Sequence, residues 1–133
     1  MKPFTINIES EYTDLWRYNI SLIGEVKHGD ESIDIVRHSD EVVPVGSNIE
    51  MAPHNYNEHR NVKIETAAGD ILILYIYIVA HSLPATETTN EENSFEVHIE
   101  IKHGEDIAYN RRHSVNIWSG DNIEIRLGDK ERE

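Results

Sequence analysis

Cysteine is absent from the 133 residues of the chain. A disulfide framework, a thiolate metal site and a thiol nucleophile are therefore all excluded, and the redox compartment is left undetermined. The chain is long enough to bury one continuous hydrophobic core but too short for two independent cores. We predict a single domain over residues 1–133.

Basic residues are scarce. The chain has 12 Lys and Arg against 25 Asp and Glu, which gives a formal net charge of -13 with its eight His neutral. Because phosphate binding needs clustered Lys and Arg, and the only adjacent basic pair is Arg111 and Arg112, nucleic acid is disfavoured as a partner. Carbohydrate, a basic protein surface or a divalent cation fits the charge, which alternatively serves only solubility.

Long apolar segments are also missing. The longest, ILILYIYIVA at 71–80, has ten residues, whereas a helix needs about 20 to cross a bilayer. The first residues lack the apolar core and cleavage site of a secretory signal. We expect no membrane insertion, and a protein that is cytoplasmic, already processed or exported by a route without such a signal.

Helical spacing of apolar residues is rare, and alternation dominates instead. The runs FTINIE, YNISLIGEVK and FEVHIEIK place apolar residues at every second position, which is typical of strands with one buried face. Only the stretch 11–16 allows a short helical turn. Both faces of the run 71–80 are apolar, so this strand must be covered twice, inside a sandwich or at an oligomer interface.

One phrase occurs twice: KHGDESIDIVRHS at 27–39 returns as KHGEDIAYNRRHS at 102–114, an offset of 75 residues. The strand pattern before each phrase keeps the same phase, which indicates a duplicated unit. Two copies are too few for a solenoid. We therefore predict an antiparallel β-sandwich of jelly-roll or Greek-key type, built from two related halves at about 4–66 and 71–127.

The repeat places His at corresponding positions, His28 with His103 and His38 with His113. Imidazoles bind transition metals, but on a hairpin the two His of one copy lie roughly 15 to 20 Å apart. We interpret them as retained architecture rather than metal ligands. A cupin-like His–metal enzyme is the weakest alternative because the chain has no His-x-His pair, and no catalytic residue is assigned.

The polar stretch HSLPATETTNEEN at 81–93 runs into SFEV, and it resembles the calcium loop of small bacterial galactose-binding jelly-roll lectins over about a dozen residues. The resemblance implies Ca²⁺-assisted glycan binding, although Glu91 stands where an Asn is expected. Glu87, Asn90 and Glu91 offer the oxygen ligands that Ca²⁺ uses. A solvated acidic loop is the favoured interpretation, so no cofactor is certain.

Aromatic residues near the start of the chain are candidates for ligand contact. Tyr12, Trp16 and Tyr18 lie in an acidic stretch where we expect exposed rings that stack on sugars. Asn90 and Asn93 of the polar stretch are the other candidates for ligand contact. The prediction is a non-catalytic binding or assembly module, with glycan binding ranked first. The alternative is an acidic inhibitor or immunity-like protein that neutralises a basic surface. We also expect a homo-oligomer, because the second apolar face of 71–80 needs covering.

Overall fold

The computed structural model describes residues 1–83 and 94–128. In these residues the chain forms one 3-10 turn at Leu15–Arg17, which overlaps the end of the stretch 11–16 that the sequence allowed for a helical turn. No helix in the described ranges is long and apolar enough to span a membrane. The remaining elements are the strands β1 (Lys2–Glu9), β2 (Tyr18–His28), β3 (Glu31–Asp40), β4 (Asn61–Gly69), β5 (Ile71–Ala80), β6 (Ser94–His103), β7 (Asp106–Asn116) and β8 (Asp121–Leu127).

The strands form two four-stranded sheets. We call the sheet with the order β4-β1-β6-β7 sheet A and the sheet with the order β3-β2-β5-β8 sheet B. Every neighbouring pair is antiparallel. The predicted antiparallel β-sandwich is confirmed.

The two halves of the chain are related by a pseudo-twofold exchange. Replacing β1 to β4 by β5 to β8, and the reverse, converts the strand order of sheet A into that of sheet B. Each sheet contains two strands from each half. The halves are therefore interlocked rather than stacked side by side.

The repeated phrase forms the same hairpin in both halves. His28 lies opposite Glu31 in one hairpin, and His103 lies opposite Asp106 in the other. Glycine begins each two-residue loop with a positive φ, 57° at position 29 and 66° at position 104, as a type II′ turn requires. Both hairpins also have a register shift at the same place, two residues before the turn histidine.

The core lies between the sheets and uses alternate residues of each strand. Each fully buried Ile or Leu side chain contributes about 1.5–3 kcal/mol of transfer free energy. The side chains that are at most 1% exposed include Phe4, Ile6, Ile8, Tyr18, Val26, Leu72, Leu74, Ile76, Ile78, Val97, Ile99, Ile101 and Val115.

The strand β5 lies in the middle of sheet B, between β2 and β8. Its inward side chains are in the core, as the sequence predicted for a central strand. Its outward side chains are Ile71, Ile73, Tyr75, Tyr77 and Val79, of which Val79 is exposed and the others are partly buried. The second apolar face of this strand therefore meets solvent in the single chain.

Candidate functional site

An open cleft of about 860 Å³ lies at one end of sheet A. It is found where β1 and β7 end and where β4 and β6 begin, and the segment after β1 forms part of its wall. Its lining is mostly charged or polar: Glu9, Ser10, Glu11, Tyr12, Glu58, His59, Arg60, Asn61, Ser94, Phe95, Glu96, His98 and Arg112.

Four side chains cross the floor of this cleft, one from each strand of sheet A. Asn61 lies opposite Glu9, Glu9 opposite His98, and His98 opposite Arg112. We call this set the polar row. Directly opposed residues on antiparallel strands point to the same face with Cβ atoms about 5 Å apart, so their polar groups are close enough to bind one small ligand.

His98 is the centre of the polar row. Its Nε2 lies 2.5 Å from Asn110 Oδ1, and its Nδ1 lies 3.4 Å from Glu9 Oε1. Because an amide oxygen only accepts, Nε2 carries the proton that is donated to Asn110. Protonation of Nδ1 converts the Glu9 contact into an ion pair.

Tyr12 forms an aromatic platform at the edge of the cleft. Its ring is partly exposed and stacks on Phe95, with the ring centroids 4.4 Å apart and the planes 13° apart. Ser10 fixes the backbone here, because its Oγ accepts from the amide of Tyr12 at 3.2 Å and donates to the carbonyl oxygen of Glu96 at 2.6 Å. The platform is therefore held in one orientation by the segment and by β6.

The opposite wall is held by Arg60, which is 8% exposed. Its Nε donates to Asp40 Oδ2 at 2.7 Å, and its two terminal nitrogens donate to the carbonyl oxygens of Leu15 and Asp40, each at 3.0 Å. This fork ties the start of β4 to the end of β3 and to the 3-10 turn. Glu58 and His59, which precede Arg60, thereby keep a fixed position at the cleft.

The cleft is acidic. Glu9, Glu11, Glu58 and Glu96 are exposed in or around it, whereas the charge of Arg60 is balanced by Asp40. Arg112 is the remaining arginine in the lining. Such a site disfavours anions and suits neutral polyhydroxylated or cationic ligands.

Of the three aromatic residues that the sequence singled out, the structure places only Tyr12 in the cleft. The expected exposure is wrong for Trp16, which is 7% exposed, and for Tyr18, which is 0% exposed. The 3-10 turn directs Trp16 inward, where Arg17 covers its ring at 4.4 Å. Tyr18 begins β2 on the inward face and donates its hydroxyl to the carbonyl oxygen of Ile117 at 2.6 Å, and burial raises the pKa of this phenol.

The other predicted site residues, Glu87, Asn90, Glu91 and Asn93, lie outside the described residues. The calcium site and the glycan contacts assigned to them stay predictions. Within residues 1–83 and 94–128, no three His, Asp or Glu side chains are grouped so that they could hold a metal ion.

The repeated histidines have local structural contacts. His28 Nδ1 lies 2.8 Å from Asp70 Oδ2, and His103 Nε2 donates to the carbonyl oxygen of Gly69 at 2.7 Å. Hydrogen bonding to His28 lowers the pKa of Asp70. Both hairpin turns are thus fastened to the single turn between β4 and β5, which agrees with their interpretation as architecture.

The other two repeated histidines lie far along the returning strands. His38 is exposed and opposite Leu22, and His113 Nε2 is 2.7 Å from the hydroxyl of Tyr109. Burial lowers the pKa of His113. Each lies at the other end of its hairpin from the turn histidine, as the hairpin arithmetic predicted.

The sequence did not indicate that Glu9, Asn61, His98 and Arg112 are members of one site. Glu9 and His98 occupy outward positions of the alternating runs FTINIE and FEVHIEIK, so the sequence could indicate that these two face solvent, whereas Asn61 and Arg112 lie outside the alternating runs. Their assembly depends on the strand order β4-β1-β6-β7, which joins residues up to 103 positions apart in the chain, from 9 to 112.

Comparison of the chain with models of known protein families, with curated proteins and with solved structures finds no match.

Proposed function

We propose that the protein is a non-catalytic carbohydrate-binding module that holds a neutral sugar in the cleft at the end of sheet A. The observation that carries this proposal is the meeting of the polar row with the Tyr12 platform in one open cleft. A volume of about 860 Å³ lies within the usual range of small-molecule sites. It accommodates one or two sugar rings.

The lining favours a ligand rich in hydroxyl groups. An apolar ligand would cover Glu9, Glu96 and Arg112 without replacing their water, which is energetically costly. A sugar hydroxyl both donates and accepts, so it satisfies carboxylate oxygens and guanidinium or amide N–H groups together. The four exposed glutamates select against phosphorylated and other acidic sugars.

Tyr12 supplies the apolar part of sugar recognition. The C–H face of a pyranose packs against an aromatic ring, and a ring already fixed by Phe95 loses little conformational entropy on binding. Of the three aromatic residues that the sequence singled out for contact with a sugar, the proposed site therefore contains Tyr12. The residues of the polar row take the place of Trp16 and Tyr18.

Arg112 and Arg37 provide the matched pair of variants for the test. They occupy equivalent positions of the repeat, but Arg112 lines the cleft and Arg37 lies on the outer face of sheet B. We expect titration calorimetry against a glycan-array hit to give at least tenfold weaker binding for Arg112→Ala, as for loss of a charged hydrogen bond. Arg37→Ala should bind as the unaltered protein does.

The proposal fails if the unaltered protein binds no neutral glycan, or if Arg112→Ala binds as tightly as the parent. A chelator tests the part assigned to Glu87, Asn90 and Glu91. If binding is lost in the chelator and returns with added Ca²⁺, the loop ion assists the cleft. If binding is unchanged in the chelator, calcium has no part in recognition, and the assignment of the sugar to the cleft still stands.

The acidic surface supports a second candidate, the binding of a basic protein. A formal charge of -13 steers association with a cationic surface and makes the association rate fall steeply with ionic strength. Binding to a neutral glycan should change little with salt. The salt dependence of affinity therefore separates the two candidates. Within the described ranges, no cluster of metal-ligating side chains supports the cupin-like enzyme.

A further inference from the structure

The outer face of sheet B has an apolar centre, unlike that of sheet A. A shallow hollow of about 560 Å³ crosses it, with an apolar lining of Ile23, Ile35, Ile73, Tyr75 and Tyr77 and with the charged Glu25, Arg37 and Arg126 also in the lining. Ile35 is 53% exposed although it belongs to a strand. Contiguous apolar surface of this kind on a small protein marks an interaction site.

Under the pseudo-twofold exchange of strands, one line of residues on this face is equivalent to the polar row of sheet A. Arg37, Ile23, Tyr75 and Glu124 are directly opposed across the four strands of sheet B. They correspond in order to Arg112, His98, Glu9 and Asn61 of the polar row. An arginine occupies the equivalent position in both rows. The two central positions of the row are charged or polar in sheet A, whereas in sheet B they are occupied by Ile23 and Tyr75.

Charge separates this face from the rest of the molecule. Its outward positions carry Lys27, Arg37 and Arg126 against Glu25 and Glu124, a local sum of +1, whereas the whole chain carries -13. Two copies can therefore meet here without bringing their acidic surfaces together. A strongly basic partner would find little attraction at this face.

We propose that the outer face of sheet B binds a second copy of this chain, with the twofold axis parallel to the strands and between β2 and β5. This axis places Arg37 opposite the partner's Glu124, and Ile23 opposite the partner's Tyr75. Two symmetric ion pairs then flank an apolar centre, as an isologous interface requires.

The groups at the two edges suit this arrangement. Within the described residues Arg37 makes no hydrogen bond or ion pair, so its guanidinium is available to the partner. Glu124 Oε2 accepts from Arg126 Nε at 2.6 Å, and that contact orients the carboxylate at the edge of the sheet. The second oxygen of Glu124 can accept from the partner's Arg37.

The size of the face sets the expected strength. Four strands about 4.8 Å apart and about seven residues long at ~3.3 Å per residue cover roughly 450 Å². Two copies therefore bury roughly 900 Å², near the lower limit of specific interfaces. We expect a reversible dimer with a Kd on the order of micromolar.

Sedimentation velocity over a concentration series tests the dimer. The unaltered chain should shift from 15.3 kDa to twice that mass. Arg37→Glu and Glu124→Lys should each be monomeric at concentrations where the parent is dimeric, because each sets like charges against each other. Arg112→Glu, the same change at the equivalent position of sheet A, should dimerise as the parent does.

Mixing the two monomeric variants tests the axis. In an equimolar mixture the new carboxylate at position 37 of one variant faces the new ammonium group at position 124 of the other, so a heterodimer should form. Its formation also shows that both variants are folded. A parent that stays monomeric to millimolar concentration, a dimer that survives Arg37→Glu, or a mixture that stays monomeric would each overturn the proposal, and none of them bears on the glycan cleft.

Discussion

His81 shows how a single buried residue couples the fold to pH. It is 2% exposed; its Nε2 lies 2.5 Å from the carbonyl oxygen of Trp16, and its Nδ1 lies 2.7 Å from Ser82 Oγ. The carbonyl oxygen only accepts, so Nε2 carries a proton and Nδ1 accepts from Ser82. Ser82 Oγ in turn accepts from the amide of Ile49 at 2.7 Å. With a neutral imidazole, each donor and acceptor in this series of hydrogen bonds therefore has its partner.

We expect acid to destabilise the protein through His81. Burial lowers its pKa from the ordinary 6.5, the Trp16 carbonyl partly opposes this, and the charges of Arg60 and Arg17 add to the lowering. The unfolded chain then binds the proton more readily than the folded chain. The contribution is complete above about pH 6.5 and is lost as pH falls toward the lowered pKa.

Urea denaturation between pH 7.5 and 5 measures this effect. The free energy of unfolding should fall on acidification, and His81→Gln should be less stable at pH 7.5 but should lose part of the pH dependence. The exposed His38→Gln serves as the control and should behave like the parent. A pH dependence that is identical in the parent and in His81→Gln would contradict the assignment.

For individual residues, the sequence could not predict whether an aromatic side chain points into the protein or towards solvent. Tyr12, Trp16 and Tyr18 share one acidic stretch, yet only Tyr12 is at the cleft. The 3-10 turn between them breaks the alternation, so no single period predicts which ring is buried. The packing of Leu15 into the core and the burial of Trp16 beside it in the turn determine the outcome.

At the scale of elements, the two hairpins are an internal comparison. Each begins its turn with a glycine at positive φ, where an L side chain is strained. A Cβ at Gly29 would meet nothing within 4 Å, whereas a Cβ at Gly104 would clash with Cδ of the Lys2 side chain. The two sites therefore differ in crowding but share the backbone requirement.

We predict that Gly29→Ala and Gly104→Ala each reduce the free energy of unfolding by about 1–2 kcal/mol. The loss at position 104 should be slightly larger, because the flexible Lys2 side chain must move. Chemical denaturation provides the measurement, with the exposed pair Ser39→Ala and Ser114→Ala as controls. An unchanged stability in either glycine variant would contradict the shared turn geometry.

Alternation in the sequence predicted the central strands but gave only a weak signal for the edge strand β7. β1, β2 and β6 each bury alternate residues and were expected close to their observed positions. β7, which spans Asp106–Asn116, is not covered by any of the alternating runs at 4–9, 18–27 and 95–102. An edge strand that extends past the core exposes both faces near the turn, so its hydrophobic pattern is weak.

For the whole molecule, the repeat was the most informative signal. It predicted two related halves, and the strand orders of the two sheets confirm them. It could not predict that each sheet takes two strands from each half, because strand order is a long-range property. The cleft depends on that order, which is why its four floor residues were missed although the positions of Glu9 and His98 on polar faces were readable.

The single turn between β4 and β5 has a further consequence for the connectivity of the chain. Lys2, near the start, lies opposite Gly69, and Leu127, near the end, lies opposite Leu72. The start of β1 and the end of β8 therefore both lie near Asp70. The pseudo-twofold exchange converts the turn from β4 to β5 into a connection from β8 to β1, so a second such turn would stand at this place. In its described strands the polypeptide is a ring that has been opened at one of two equivalent points.

Opening the ring at the other point should preserve the fold. A circular permutant that begins at Ile71, joins Gly128 to Lys2 through a short linker and ends at Gly69 should show the circular dichroism spectrum of the parent. It should unfold cooperatively at somewhat lower urea, since His28 and His103 lose their covalently continuous anchor at residues 69 and 70. A permutant that stays unfolded would mean that the two joints are not interchangeable.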